Sequence, residues 1–172
     1  MVEMISSKEK KSRSARAQAI VEFAIALPVL LLLLLGIFEV GRYMFIYSSV
    51  TNASRNAVRY ASAVGKNDSG LTKYNYCEGI KQVGLKSAYL VSPSDFTIDI
   101  IYDDGPGTSQ FAECNLWNAT QVDPDVIVSS GDRVTVTVTA QYRPILKLIP
   151  LTARPIISRS SRTILGIVQL QP

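Results

Sequence analysis

Apolar and charged positions are unevenly distributed along this chain. From Met1 to Arg16 the residues are polar and charged without apolar periodicity, and the segment is expected to be disordered or loosely helical. From Phe23 to Phe38 no charged side chain occurs, and Val29 to Leu35 is an unbroken apolar run. As a helix that uncharged stretch is about 24 Å long, a little short of a hydrocarbon core of about 30 Å. Continuation from Val40 to Val50 supplies the remainder. Glu39 and Arg42 can pair on one helical face, and Tyr43, Phe45 and Tyr47 suit an interfacial aromatic belt. The pattern places a membrane span at roughly 21 to 47. Pro28 lies inside it and predicts a kink that neighbouring helices or local adjustment can absorb.

Past the span the period remains helical. Ile46, Val50, Ala53, Ala57, Tyr60, Ala61 and Val64 recur at spacings of three and four, with Asn52, Arg55, Asn56 and Arg59 between them. One long helix over 18–65 follows, with Gly65 as its stop. A shorter helix is predicted over Tyr74 to Leu90, ended by Ser92-Pro93. Phe96, Ile98 and Ile100 alternate with Thr97 and Asp99 as in a strand. Asp103 to Gly131 is rich in Gly, Pro, Asn, Asp and Ser and reads as a long loop. In Asp132 to Arg143 the period of two is nearly perfect: Val134, Val136, Val138, Ala140 and Tyr142 face one way, Arg133 and the threonines the other. A last strand is predicted over Ile156 to Gln169, with Arg159 and Arg162 outward. The organisation is a leader over 1–17, the long helix over 18–65 and an external domain over 66–172. The fold class is α+β, a short helix packed on a small antiparallel sheet.

The length, 172 residues, leaves room for one ordinary domain plus an anchor. The net charge of +4 could suggest a nucleic-acid partner. However, Lys8, Lys10, Lys11, Arg13 and Arg16 lie in the leader, the other cations mix with acids, and Tyr89, Trp117 and Tyr142 are scattered, so no nucleic-acid surface is predicted. The same leader cations orient the N-terminus to the cytoplasm and the domain outside. Cys77 and Cys114 agree with this, because paired cysteines belong in an oxidising compartment, where their disulfide would pin the long loop to the start of the second helix. Reading the N-terminus as a cleaved secretory signal is disfavoured, since Glu39-Val40-Gly41-Arg42-Tyr43 offers no small-x-small site.

The chain has no histidine, which removes the Ser-His-Asp triad, the zinc-protease motif and most imidazole metal sites. No phosphate-binding glycine loop is present. Asp103, Asp104, Asp123 and Asp125 could hold a hard cation, but without EF-hand spacing they read as solvated loop acids. No cofactor, metal or enzymatic activity is predicted. The most informative residue is Glu22, a carboxylate at the mouth of the span. An acidic side chain at mid-helix costs about 2.5–3.5 kcal/mol, and less near an interface, so Glu22 either reaches the headgroups or has a partner. Ala24, Ala26, Gly36 and Gly41 would let such a helix pack closely on others.

The run Ala17-Gln18-Ala19-Ile20-Val21-Glu22-Phe23-Ala24-Ile25-Ala26-Leu27-Pro28, followed by Gly36-Ile37-Phe38-Glu39-Val40-Gly41-Arg42 and Asn52-Ala53-Ser54-Arg55-Asn56-Ala57-Val58-Arg59-Tyr60-Ala61, resembles the TadE-like family. These are minor pilin-like proteins, or pseudopilins, of the bacterial tight-adherence pilus. The resemblance is strong over roughly 16–65 and thin beyond. It implies a single-pass protein of the cytoplasmic (inner) membrane, cut by a prepilin peptidase between Ala17 and Gln18. Ala17 stands where such peptidases generally favour glycine. The resemblance also implies that Glu22, beside Phe23, meets the new α-amino group of Gln18 on a neighbouring subunit. The implied partners are membrane lipid, the peptidase, the major pilin, other minor pseudopilins and the pilus assembly platform. Readings from other classes are a tethered sensor or binding module using the 103–131 loop, and a tethered hydrolase using Asp103 and Asp104.

Overall fold

The computed structural model describes residues 2–89, 91–114, 120–123, 125–145 and 153–166, with the backbone alone for 2–16. The chain divides into two compact units, Met1–Arg42 and Tyr43–Pro172. Helix α1, Val2–Ala61, runs through both.

Within the first unit the helix begins at Val2, in the segment the sequence pattern reads as disordered or loosely helical. The reason is local: lysine, glutamate, arginine and alanine are good helix formers, no glycine or proline interrupts them, and extending an existing helix avoids the cost of a new nucleus. The helix also continues through Pro28. Apolar side chains are exposed all round it, among them Ile20, Phe23, Leu31, Leu34 and Ile37. A helix that is apolar on every side and unburied matches lipid better than water. The segment Ala17–Ala61 contains the one stretch, among the described residues, long and apolar enough to cross a membrane.

The second unit is α+β, as the hydrophobic pattern predicts. Beside the C-terminal part of α1 it contains α2 (Cys77–Lys86), β1 (Phe96–Asp103), β2 (Gln110–Glu113), β3 (Arg133–Tyr142) and β4 (Arg154–Thr163). The strands form one sheet in the order β2-β1-β3-β4, every neighbouring pair antiparallel. The alternation read in β3 sets the layering. Val134, Val136, Val138 and Ala140 are paired across from Tyr102, Ile100, Ile98 and Phe96, and all eight are buried. Onto this face pack Ile46, Val50, Ala53, Ala57 and Ala61 of α1, with Cys77 and Ile80 of α2. The alanines let α1 approach closely. α2 is also close, since a Cβ added at Gly84 would lie 2.6 Å from Ile98 Cδ1.

Several boundaries differ from the sequence reading. α1 ends at Ala61, short of Gly65: the Ser62 N–H still bonds to the Val58 carbonyl at 2.9 Å, but the Ala63 N–H turns to Tyr60 O, tightening the last turn. Val64, assigned to the apolar stripe, is exposed. α2 starts three residues later than predicted because Asn75 and Tyr76 donate to the Thr72 carbonyl in a preceding turn, and it stops at Lys86, short of the predicted end, where the Ser87 and Ala88 N–H groups turn to the Gly84 and Leu85 carbonyls; Leu90 itself lies outside the described residues. β4 begins two residues early and ends at Thr163, and positions 167–169 of the predicted strand also lie outside. Arg159 and Arg162 are both exposed, but their spacing puts them on opposite faces of β4. β2 falls inside the predicted loop. A turn with positive φ at Gly105 (143°) and Gly107 (87°) folds the chain back so that Ala112 pairs with Tyr102.

Candidate functional site

Ala17, Gln18, Glu22 and Phe23 all lie on α1 with exposed side chains, Phe23 at 63 %. Residues four apart share a helical face, and the Gln18 side-chain amide donates to Glu22 Oε1 at 3.2 Å. The structure therefore brings position 18 and the Glu22 carboxylate together on one exposed surface of an apolar helix. Phe23 is the next residue round. A carboxylate displayed on this surface can accept further donors from outside the chain, and at the edge of a low-dielectric layer such a bond is stronger than in water.

The second polar feature of the helix is the Glu39–Arg42 pair. Arg42 Nη1 lies 3.5 Å from Glu39 Oε1 at a spacing of three residues, with both side chains partly shielded. This is the pairing the spacing predicts, and it lets two charges enter an apolar stretch as a neutral unit. Immediately after it, the ring of Tyr43 meets that of Tyr142 edge to face, with centroids 5.1 Å apart.

In the domain, Cys77 at the start of α2 is bonded to Cys114 just beyond β2, across a sequence separation of 37. The 103–131 stretch is thus tied to the second helix. It is held further by Val122 N–H to the Asn75 carbonyl at 3.1 Å, and by burial of Val122 and Val128. Trp117 lies outside the described residues. Beneath the disulfide, Tyr102 is fully buried; its hydroxyl donates to the Tyr74 carbonyl, and burial pushes the phenol well above its ordinary range.

Asp103 is not the solvated loop acid the sequence suggests. It ends β1 with 3 % exposure, directly opposite Arg133 on β3. Arg133 Nε donates to Asp103 Oδ1 at 2.7 Å and Nη2 to Oδ2 at 2.9 Å, while the Gly105 N–H donates to Oδ1 at 3.0 Å. The Arg133 hydrogen bonds hold this carboxyl below the usual carboxylate range, against the opposing effect of its burial. Asp104, one residue on, is exposed. The two acids therefore occupy different surroundings and do not form a facing pair. What the sequence could have shown is the cross-strand geometry: the first residue of a Val/Thr strand is an arginine, and an aspartate closes the strand it pairs with.

Comparison with known families finds that residues 17–59 match the family described as TadE-like protein. The match covers the part of α1 carrying Glu22, the Glu39–Arg42 pair and most of the helical stripe in the domain core, and it bears out the resemblance read from these residues. No curated protein and no solved structure matches the chain.

Proposed function

We propose that the chain is a pilin-like subunit acting in assembly of a tight-adherence type pilus or a related secretion apparatus. In this reading the basic leader lies in the cytoplasm, a prepilin peptidase cuts between Ala17 and Gln18, and the helix holds the domain outside the cytoplasmic membrane. The observation that carries it is the coincidence of the TadE-like match with an exposed apolar helix bearing one carboxylate at its mouth. Cleavage would create an α-amino group at position 18. Glu22 on a neighbouring subunit would pair with it where solvent is scarce and an unpaired charge is costly. The major pilin, other minor pseudopilins and the assembly platform are the partners of this step.

The test is the mature N-terminus, read by mass spectrometry of protein from native membranes with and without the candidate peptidase. A chain beginning at Gln18 only when the peptidase is present supports the reading. Retention of Lys8 to Arg16 in both strains overturns it in favour of a permanently anchored binding module. Glu22→Ala should then impair pilus assembly while leaving membrane insertion unchanged; normal pili from that variant would remove Glu22 from the mechanism.

A further inference from the structure

Strand β4 is an edge of the sheet, ten residues long, whereas β2 at the other edge has four. Its bonding phase is fixed near its end: the Ile164 N–H donates to the Asp132 carbonyl at 2.8 Å, and Ile164 O accepts from Gly131 at 3.0 Å. In an antiparallel ladder every second residue bonds inward, so Ile156, Ser158, Ser160 and Arg162 face β3 with their backbone groups. Ile157, Arg159, Ser161 and Thr163 turn theirs outward. None of these finds a backbone partner among the described residues, and all four are exposed. Pro155 lacks an N–H and marks where the open stretch begins.

Beside this edge lies a cleft of about 470 Å³ between α1 and β4. Three arginines line it, Arg55 and Arg59 one turn apart on α1 and Arg162 on β4, and the described residues of its lining include no acid. Among the described residues no carboxylate pairs with any of the three. The helix is held against the strand here by Ser54, whose hydroxyl lies 2.9 Å from both Ser158 Oγ and Ser160 Oγ.

We propose that the β4 edge and the adjoining arginine cleft receive an acidic β-strand from a different protein chain. Main-chain bonds to the outward groups of β4 supply the pairing, and carboxylates on alternate residues of the incoming strand meet Arg55, Arg59 and Arg162. A second copy of this chain does not suit the edge. β4 carries Arg154, Arg159 and Arg162 and no acid, so two such strands side by side oppose like charges. Lipid headgroups do not suit it either. At 1.5 Å per residue along α1, Arg55 and Arg59 lie about 12 and 18 Å beyond even position 47, the far limit of the predicted span, while Ile46 already packs in the domain core and the headgroup layer extends only about 5–8 Å. Charges on an edge strand can simply deter aggregation, but that role needs no arginines from a neighbouring helix.

The proposal does not rest on leader processing, and its test uses the full chain in phosphatidylcholine nanodiscs. Fluorescent peptides are titrated and read by anisotropy: one alternating glutamate and threonine, one alternating lysine and threonine, and the glutamate peptide interrupted by a central proline. The glutamate–threonine peptide should bind saturably, and about tenfold more weakly to the Arg55→Gln/Arg162→Gln variant. Both substituted residues are exposed, and an unchanged melting curve certifies the fold. The lysine and proline peptides should not bind. Absence of saturable binding by the glutamate peptide overturns the proposal. Equal binding of the proline-interrupted peptide reduces the site to an anion cleft without strand pairing, and dimerisation of the chain that the peptide disrupts assigns the edge to a second copy.

Discussion

Replacing Arg133 by glutamine tests the buried pair that clamps β1 to β3. The change removes both guanidinium bonds and leaves a carboxylate of 3 % exposure with only the Gly105 N–H. Removing the hydrogen-bond partner of a charged group costs about 1.5–3 kcal/mol, less than for a fully buried ion pair. The Arg133 side chain is 22 % exposed, so water partly replaces it, and the expected loss is about 2 kcal/mol. For a domain of this size that corresponds to a fall of about 5–10 °C in Tm. The assay is near-UV circular dichroism melting of the full chain in detergent, for Arg133→Gln, Asp103→Asn and the double variant. The double variant should lose less than the two single losses added, because it leaves no unpaired charge. The pH dependence has a definite sign. Asp103 has a depressed folded-state pKa, so its stabilisation is complete above the unfolded value of about 3.9 and is lost as pH falls through the lower folded value. Without Arg133 burial raises that folded value, and the acid side of the stability profile should move to higher pH. A loss below about 1 kcal/mol, or an acid side that stays in place, would refute the clamp.

Reducing the Cys77–Cys114 bond, or replacing both cysteines by alanine, should cost about 4 kcal/mol on the loop-entropy model for this separation of 37 residues. Urea titration with and without reductant measures it, and a loss under about 1 kcal/mol would mean that the hydrogen bonds of the 120–122 segment hold it without the bridge. Gly84→Val should destabilise by about 1–3 kcal/mol, because the space above Gly84 is already filled by Ile98. Gly84→Ala should be close to neutral, its clash with a movable side-chain end being offset by the higher helix propensity of alanine; equal stability of the valine and alanine variants in urea would show that α2 is less tightly seated than described.

The elements most legible in the sequence are those where one periodicity persists for many residues. Ile46, Val50, Ala53, Ala57 and Ala61 stand one or two positions from hydrophilic neighbours throughout, and Val134 to Tyr142 alternate cleanly, so both buried faces follow from spacing. Features set by pairing between distant segments were less legible. β2 is four residues long with a single buried position, Ala112, too short to show a period. Asp103 looks like a loop acid until β3 supplies Arg133 beside it. Ser54 lies in the helical pattern as a polar residue, and its burial makes sense only against the serines of β4. Thr135, on the face of β3 opposite the valines, is buried and bonded to Ser161 across the strands. On the helix, Glu22 is legible because a charge is conspicuous in an apolar run. The arginine cleft is not, since Arg55, Arg59 and Arg162 come together only through the docking of α1 on β4.

That α1 supplies one wall of the domain core bears on mechanical load. Tension applied through the apolar segment reaches the fold along the same helix, with Ile46 and Val50 the first core residues in its path. There they are anchored by packing, with Ser49 bonded to the backbone around Ser87 and Tyr89 and Ser54 bonded to β4. A pull strong enough to draw the helix free would strip the sheet of its covering, so the tether and the fold would yield together. Load on the apolar segment is in this way carried by the hydrophobic core of the domain.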